Sequence, residues 1–418
     1  MDLSTKIEQT TAHLFRHESG KMCAVLVKLF GLNQIQIAED IVQETLIAAF
    51  DAWKLQGIPD NPRAWLYRVA KNKTIDFLRR ERNFKDVIAP NISFELTQHQ
   101  AKNGWLDDFF LETEIEDAQL RMMFACCHPE IPIEQQLAIV LRTLCGLSGK
   151  EIAAAFLQTE DTIGKRIFRA KDKIRQAKLS LEVPTGEALV PRIDAVLHAI
   201  YLLFNEGYKS SSENAVIRRD LCSEALRLCA LLAQSSVGNL PKTHALLALI
   251  CFQAARFDAR LDSEGQIILL ENQDRSLWKT SLISLGYAHF KQSNQGQEIS
   301  QYHLEAAIAS YHSAAKSFET TNFQAIFYCY DLLLTINPSP IVAFNRAIAL
   351  GYSESPKAGI EALLKIDDLS ENYLYHTALG DFYKKNKQSE AAIKSYETAL
   401  SLVNLPAEKR VLEKKMEF

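Results

Sequence analysis

Apolar residues recur at three- and four-residue spacing along almost the whole chain, and alternating strand-like runs are absent, so the pattern predicts an all-α protein. Three stretches interrupt it. "GIPDNP" at 57–62 is rich in turn formers. Residues 86–118 include "DDFFLETEIED", with six acids and no base. "LEVPTGEALVP" at 181–191 sets two prolines around a linker. These breaks leave a segment ending near 85, a second over 119–180 and a large helical remainder from about 190.

The second segment has the spacing of a helix-turn-helix. Ser148 and Glu151 form a capping box that starts one helix, and Ile152, Ala153 and Phe156 supply its apolar face. After "LQT", Thr159 stands ready to cap the next helix, where Ile163, Ile167, Ala170 and Ile174 make one buried stripe. Thr162, Lys165, Arg166, Arg169 and Lys173 are left for solvent. "KRIFRAKDKIRQAK" at 165–178 carries seven cations and one acid. A helix 10–12 Å across fits the major groove, with cations on phosphates. The same pattern also suits an ordinary helical hairpin with a solvated basic face.

In the first segment Val42, Leu46, Ala49 and Trp53 share one face, while Asp40, Glu44 and Asp51, with Gln43 beside them, share another. That acidic face repels DNA and reads as a protein-binding surface. "PRAWLYRVAKNKTIDFLRRER" at 62–82 follows, with seven bases against two acids. Leu66, Val69, Ala70 and Phe77 form its buried stripe, and Arg68, Asn72 and Arg79 a polar one. Asp76 is at pairing distance from Arg79 or Arg80. Bases interleaved with Trp65 and Tyr67 suit single-stranded nucleic acid, where cations track the backbone and rings stack on bases. The alternative keeps Trp65 in the core and the cations solvated.

"AEDIVQET" with "PRAWLYRVAKNKTIDFLRR" resembles region 2 of sigma-70 factors of the extracytoplasmic-function group, and "EIAAAFLQTEDTIGKRIFRAKDKI" resembles their region 4. The resemblance implies a subunit that binds core RNA polymerase, recognises −35 and −10 promoter elements and helps open the −10 DNA. It assigns polymerase binding to Asp40, Gln43 and Glu44. It assigns −10 contacts to Arg63, Trp65, Arg68, Asn72, Arg79 and Arg80, with Asn72 holding a flipped base framed by residues 54–62. The −35 contacts fall to Thr162, Gly164, Lys165, Arg166, Phe168, Arg169 and Lys173. Gly164 departs from the family pattern, in which a longer polar residue is often found. Extracting a base costs a few kcal/mol of stacking, which duplex reading and polymerase anchorage can supply.

More than half of the 418 residues lie beyond Pro191. "YLYHTALGDFYKKNKQSEAAIKSYETALSLVNLP" fits a tetratricopeptide repeat, with Leu379, Gly380, Tyr383, Ala392, Tyr396 and Ala399 spaced to interlock two helices. One repeat cannot bury its face alone, and weaker echoes at 284–290 and 342–350 predict an array. "LLFNEGY", "LLENQDRSLW" and "INPSPIVAFNRAIAL" resemble a subgroup of these sigma factors with a fused C-terminal helical extension, implying a regulatory role. The expected domains are region 2 over 1–88, an acidic linker over 89–118, region 4 over 119–182 and a tetratricopeptide-like regulatory domain over 190–418.

Composition alters little: 47% hydrophobic and 23% charged residues are ordinary for a globular chain. A net charge of −4 does not oppose DNA binding, because charge counts by surface. No signal peptide or membrane span is apparent, which places the protein in the cytoplasm. Eight cysteines form no CxxC pair; "CCHP" at 126–129 lacks a second ligand pair and reads as core. His198, His244, His289 and His303 show no metal spacing. Asn205–Glu206 and Asp274–Arg275 suit ion pairs and helix ends. Without a phosphate loop or nucleophile elbow, neither an enzyme nor a cofactor is expected. The expected partners are core RNA polymerase, promoter DNA and an unknown protein or ligand at the C-terminal domain, with no membrane. A stand-alone helix-turn-helix regulator with a tetratricopeptide-like sensor is the competing reading, and a scaffold with incidental basic helices a third.

Overall fold

The computed structural model describes residues 3–80, 105–156, 158–183, 186, 189–208, 217–263, 267–403 and 406–416. Among these residues are nineteen α-helices, and the sole extended pairing is an isolated bridge between Leu261 and Ile267. The chain forms two compact units, Met1–Gly238 and Asn239–Phe418.

In the first unit, α1 (Leu3–Phe30), α2 (Ile35–Gln56) and α3 (Pro62–Arg80) pack together. Val42, Ala49 and Trp53 are buried on α2, and Leu66 and Ala70 on α3, as the periodicity requires. Leu46, Val69 and Phe77 are half-buried. Trp53 sits edge-on to Trp65 with ring centroids 5.5 Å apart.

The acidic stretch 107–117, expected as part of a break, is helical. It contributes to α4 (Trp105–Phe109) and α5 (Glu112–Cys126). Asp107, Asp108, Glu112 and Glu114 sit in first turns, where they complement the helix dipoles, and four of the six acids pair with cations of other helices. Lys28 holds Glu114 and Asp117 at 2.7 Å each, Lys71 meets Asp107, and Arg63 meets Glu112. The first half of the expected linker, residues 89–104, lies outside the described residues.

Next come α6 (Ile133–Thr143), α7 (Gly149–Ala155) and α8 (Glu160–Ala177). The capping box is present: Ser148 Oγ accepts from the Glu151 amide at 3.2 Å, and Glu151 accepts from the Ser148 amide at 2.7 Å. Thr159 Oγ1 caps α8 by accepting from the Thr162 amide at 3.3 Å. Ile163, Ala170 and Ile174 are fully buried and Ile167 half-buried.

Two further helices, α9 (Leu189–Tyr208) and α10 (Arg219–Gln234), complete this unit. α9 packs on α5, α6 and α7, and α10 on α9 and α5. The unit ends at Gly238, and within it these helices pack with the helix-turn-helix.

The second unit runs from α11 (Pro241–Ala254), buried along most of its length, through α12 (Thr280–Ser293), α13 (Gln301–Ala314), α14 (Phe323–Ile336), α15 (Pro340–Ser353) and α16 (Pro356–Leu363). It ends with α17 (Tyr373–Lys385), α18 (Ser389–Leu402) and α19 (Pro406–Met416). Consecutive helices pair, and small residues meet large ones where they cross. A Cβ on Gly380 would lie 2.5 Å from the Tyr396 ring, and one on Gly351 2.3 Å from the Phe382 ring. Ala392, Tyr396 and Ala399 are fully buried, with Leu379.

Candidate functional site

Asp40, Gln43 and Glu44 all point into solvent from α2. Asp40 accepts from Gln36 at 2.9 Å, and Glu44 accepts from Lys73 at 3.0 Å. Ile47, Phe50 and Leu55 continue this exposed side of the helix. An exposed apolar patch rimmed by acids is the composition of a docking surface. Sequence reasoning missed these three side chains because their spacing also fits a buried stripe.

On α3, Arg68, Asn72, Arg79 and Arg80 are exposed. Asp76 sits 4.0 Å from Arg79. Arg63 and Trp65 differ from this group. The Arg63 guanidinium is occupied by Glu112, by Tyr67 at 3.2 Å and by Glu18 at 3.4 Å, and Trp65 is half-buried against Trp53. Both are parts of the packing before they are parts of any binding surface. The intervening loop starts at Gly57, whose amide closes α2 on the Trp53 carbonyl at 2.9 Å and whose φ is +82°.

α8 presents Gly164, Lys165, Phe168, Arg169 and Lys173 to solvent. Phe168 is 69% exposed, unusual for so large an apolar ring. Gly164 has open space where a Cβ would stand. Several cations already have partners: Lys165 holds Asp161 at 2.6 Å, Lys173 lies 3.8 Å from Glu130, and Arg166 holds Glu134 at 2.9 Å. Thr162 is half-buried beside its cap.

Elsewhere the polar groups serve the fold. Seven of the eight cysteines are buried and Cys329 is half-buried, all as free thiols. Burial pushes the Cys127 thiol up to about 12. No group of three or more His, Cys, Asp or Glu side chains could hold a metal among the described residues. Asp274 accepts from the Ser276 amide at 2.8 Å, and Arg275 donates to the His312 and Ala315 carbonyls at the end of α13. Asn205 is exposed and Glu206 buried. His244 and His289 stack with their Nδ1 atoms 3.0 Å apart. No helix among the described residues is long and apolar enough to cross a membrane.

His312 makes the second unit acid-sensitive. Burial, reinforced by Arg256 and Arg275, pushes its imidazole down to about 3. Native His312 therefore stays neutral while the unfolded chain takes up a proton below about 6.5. The unfolded state binds more protons in that window, so stability falls as pH drops from 6.5 toward 3. The expected loss is about 2 kcal/mol by pH 5. Denaturant melts of His312→Phe should lack that part of the slope, and an unchanged slope would contradict the assignment.

Two exposed basic helices, one following a turn-rich loop and one in a helix-turn-helix, with a separate acidic face on α2, are the arrangement of an RNA polymerase sigma factor. Residues 14–84 match sigma-70 region 2 and residues 121–174 match sigma-70 region 4. Residues 192–294 match a family of unknown function, DUF6596. An ECF RNA polymerase sigma-E factor of Haemophilus influenzae is 30% identical over 159 residues, 37% of this chain and 79% of that protein. The sigma factor SigV of Bacillus subtilis is 25% identical over 138 residues, 33% of this chain and 74% of its own. An uncharacterized protein of Rhizobium meliloti is 33% identical over 377 residues, 90% of this chain and 88% of that protein, so the extension is shared as well. The chain belongs to the extracytoplasmic-function group of sigma-70 factors. Membership implies two partners, core RNA polymerase and promoter DNA.

Proposed function

We propose that this sigma factor docks on core polymerase through Asp40, Gln43 and Glu44 with their apolar neighbours Ile47 and Phe50. In that complex α8 reads a −35 element in the major groove. α3, through Arg68, Asn72, Arg79 and Arg80, helps open the −10 element. The observation that carries this reading is the sorting of charge by face. Arg68 and Asn72 lie on one exposed stripe of α3, Arg169 and Phe168 on the outer side of α8, and the acids on α2. Arg63 and Trp65 support the −10 surface by fixing α3 against α2 and α5. The helices after Gly238 form a tetratricopeptide-like array that regulates activity through a protein or ligand.

Arg169→Ala tests the recognition helix. A lost base or phosphate contact of 1–3 kcal/mol lowers −35-dependent initiation by about ten-fold or more. The melting temperature should not move, because Arg169 lies off the buried stripe. Run-off transcription with core polymerase measures this; wild-type output from the variant would remove α8 from the promoter.

A further inference from the structure

Region 2 and region 4 are in contact in this protein, and that contact is incompatible with promoter binding. Elements at −35 and −10 lie about 25 base pairs apart, or about 85 Å of duplex at 3.4 Å per pair. α8 has 18 residues and is about 27 Å long. Its Lys171 ammonium donates to Gln36 at 3.0 Å and pairs with Glu39, both in the first turns of α2. Two readers held together in this way cannot span both elements. The same contact sits beside the docking face, since Gln36 also donates to Asp40 at 2.9 Å.

What opposes opening comes from three parts of the chain. Arg16 on α1 donates to Glu151 on α7 at 2.9 Å and also pairs with Asp220 in α10. Arg218, just before α10, donates to the same two carboxylates at 2.6 and 2.9 Å. Each arginine touches both acids, and the four side chains are only 15–24% exposed. Pulling any part away strands partly desolvated charges. Glu151 is also the capping-box glutamate, so the quartet is tied to the start of the helix-turn-helix. A second tie lies nearby, where Arg227 of α10 donates to Gln119 of α5 at 3.0 Å. Gly20 of α1 approaches the Leu144 backbone so closely that a Cβ would fall 2.0 Å from its carbonyl oxygen.

We propose that the α9–α10 hairpin is a latch: through the Arg16–Glu151–Arg218–Asp220 quartet it holds regions 2 and 4 closed, and engagement of core polymerase releases it. The latch rests on the sigma-factor reading but is read out separately from transcription. Native cysteines report it. Cys23 of α1 is buried and feels Glu39, Cys126 and Lys171, and Cys145 is buried and feels Glu224 and Arg227 of α10. Cys222 is buried inside the hairpin, with its thiol 3.7 Å from the Phe204 carbonyl.

The experiment is timed maleimide labelling of the full chain, mapped by mass spectrometry, with and without core polymerase. Arg218→Ala with Asp220→Ala, and separately the isosteric Asp220→Asn, are labelled in parallel. Core polymerase and the variants should each raise labelling of Cys23, Cys126 and Cys145 by about ten-fold or more, equivalent to about 1.4 kcal/mol of opening. Cys222 should stay protected. Parental labelling rates in both variants, or continued protection of Cys23 and Cys126 in a chain bound to core, would overturn the latch. So would Cys222 reacting along with the others, since the quartet would then be holding the hairpin's fold and not the closure. Failure to bind core at all would instead strike the sigma-factor reading.

Discussion

Alanine at Asp40, Gln43 and Glu44 together should cost this protein its hold on core RNA polymerase. The three side chains are exposed on one side of α2, and beside them Ile47 and Phe50 offer apolar area that no element among the described residues covers. Truncating charged partners at a desolvated interface costs 2–5 kcal/mol each in favourable cases. Loss of two carboxylates therefore predicts a drop in affinity of at least about 100-fold. The internal contacts given up are the exposed Glu44–Lys73 pair and the Asp40–Gln36 hydrogen bond, so the thermal melt should shift little. Fluorescence anisotropy against purified core measures the affinity. Equal binding by parent and variant would mean that the acids of α2 face something else.

Removing the extension should have opposite results depending on where the cut falls. A chain ending at residue 183 loses α9 and α10, whose Ile193, Val196, Leu197, Ile200, Leu203 and Phe204 are almost completely buried. α9 covers α5, α6 and α7, so the cut exposes the back of the helix-turn-helix as well as breaking the Arg218 and Asp220 ion pairs. Each buried aliphatic or aromatic side chain is worth about 1.5–3 kcal/mol, and a domain has only about 5–15 kcal/mol to lose. Residues 1–183 should be poorly soluble or melt without cooperativity. Residues 1–238 keep the whole first unit and should melt in one transition. Comparable melts for the two fragments would show that α9 and α10 are not needed for the helix-turn-helix to fold. An activity test of the extension is therefore interpretable only for the longer fragment.

Local rules recovered the parts of this protein that local contacts build. The capping box at Ser148, the Thr159 cap and the stripe of Ile163, Ala170 and Ile174 were all legible, because each depends on residues within a few turns. So was the exposed stripe of Arg68, Asn72 and Arg79, which is the complement of a buried one. The acidic stretch 107–117 looks like a break from its charge density, whereas four of its acids are matched to Lys28, Lys71 and Arg63 across 36 to 89 residues. The ion quartet joins Arg16 to Asp220 over 204 positions, and no periodicity encodes such a pair. For the same reason Arg63 and Trp65 looked like free binding groups. Their partners, Glu112 and Trp53, come from other helices.

The most direct measurement is reconstituted transcription from promoter fragments, with DNA footprinting in parallel, using the full chain with and without purified core polymerase. The account predicts defined transcripts and an opened −10 region only when both proteins are present, and no sequence-specific footprint from the chain alone. A footprint on intact duplex that forms equally well without core, with no start-site selection when core is added, would contradict it.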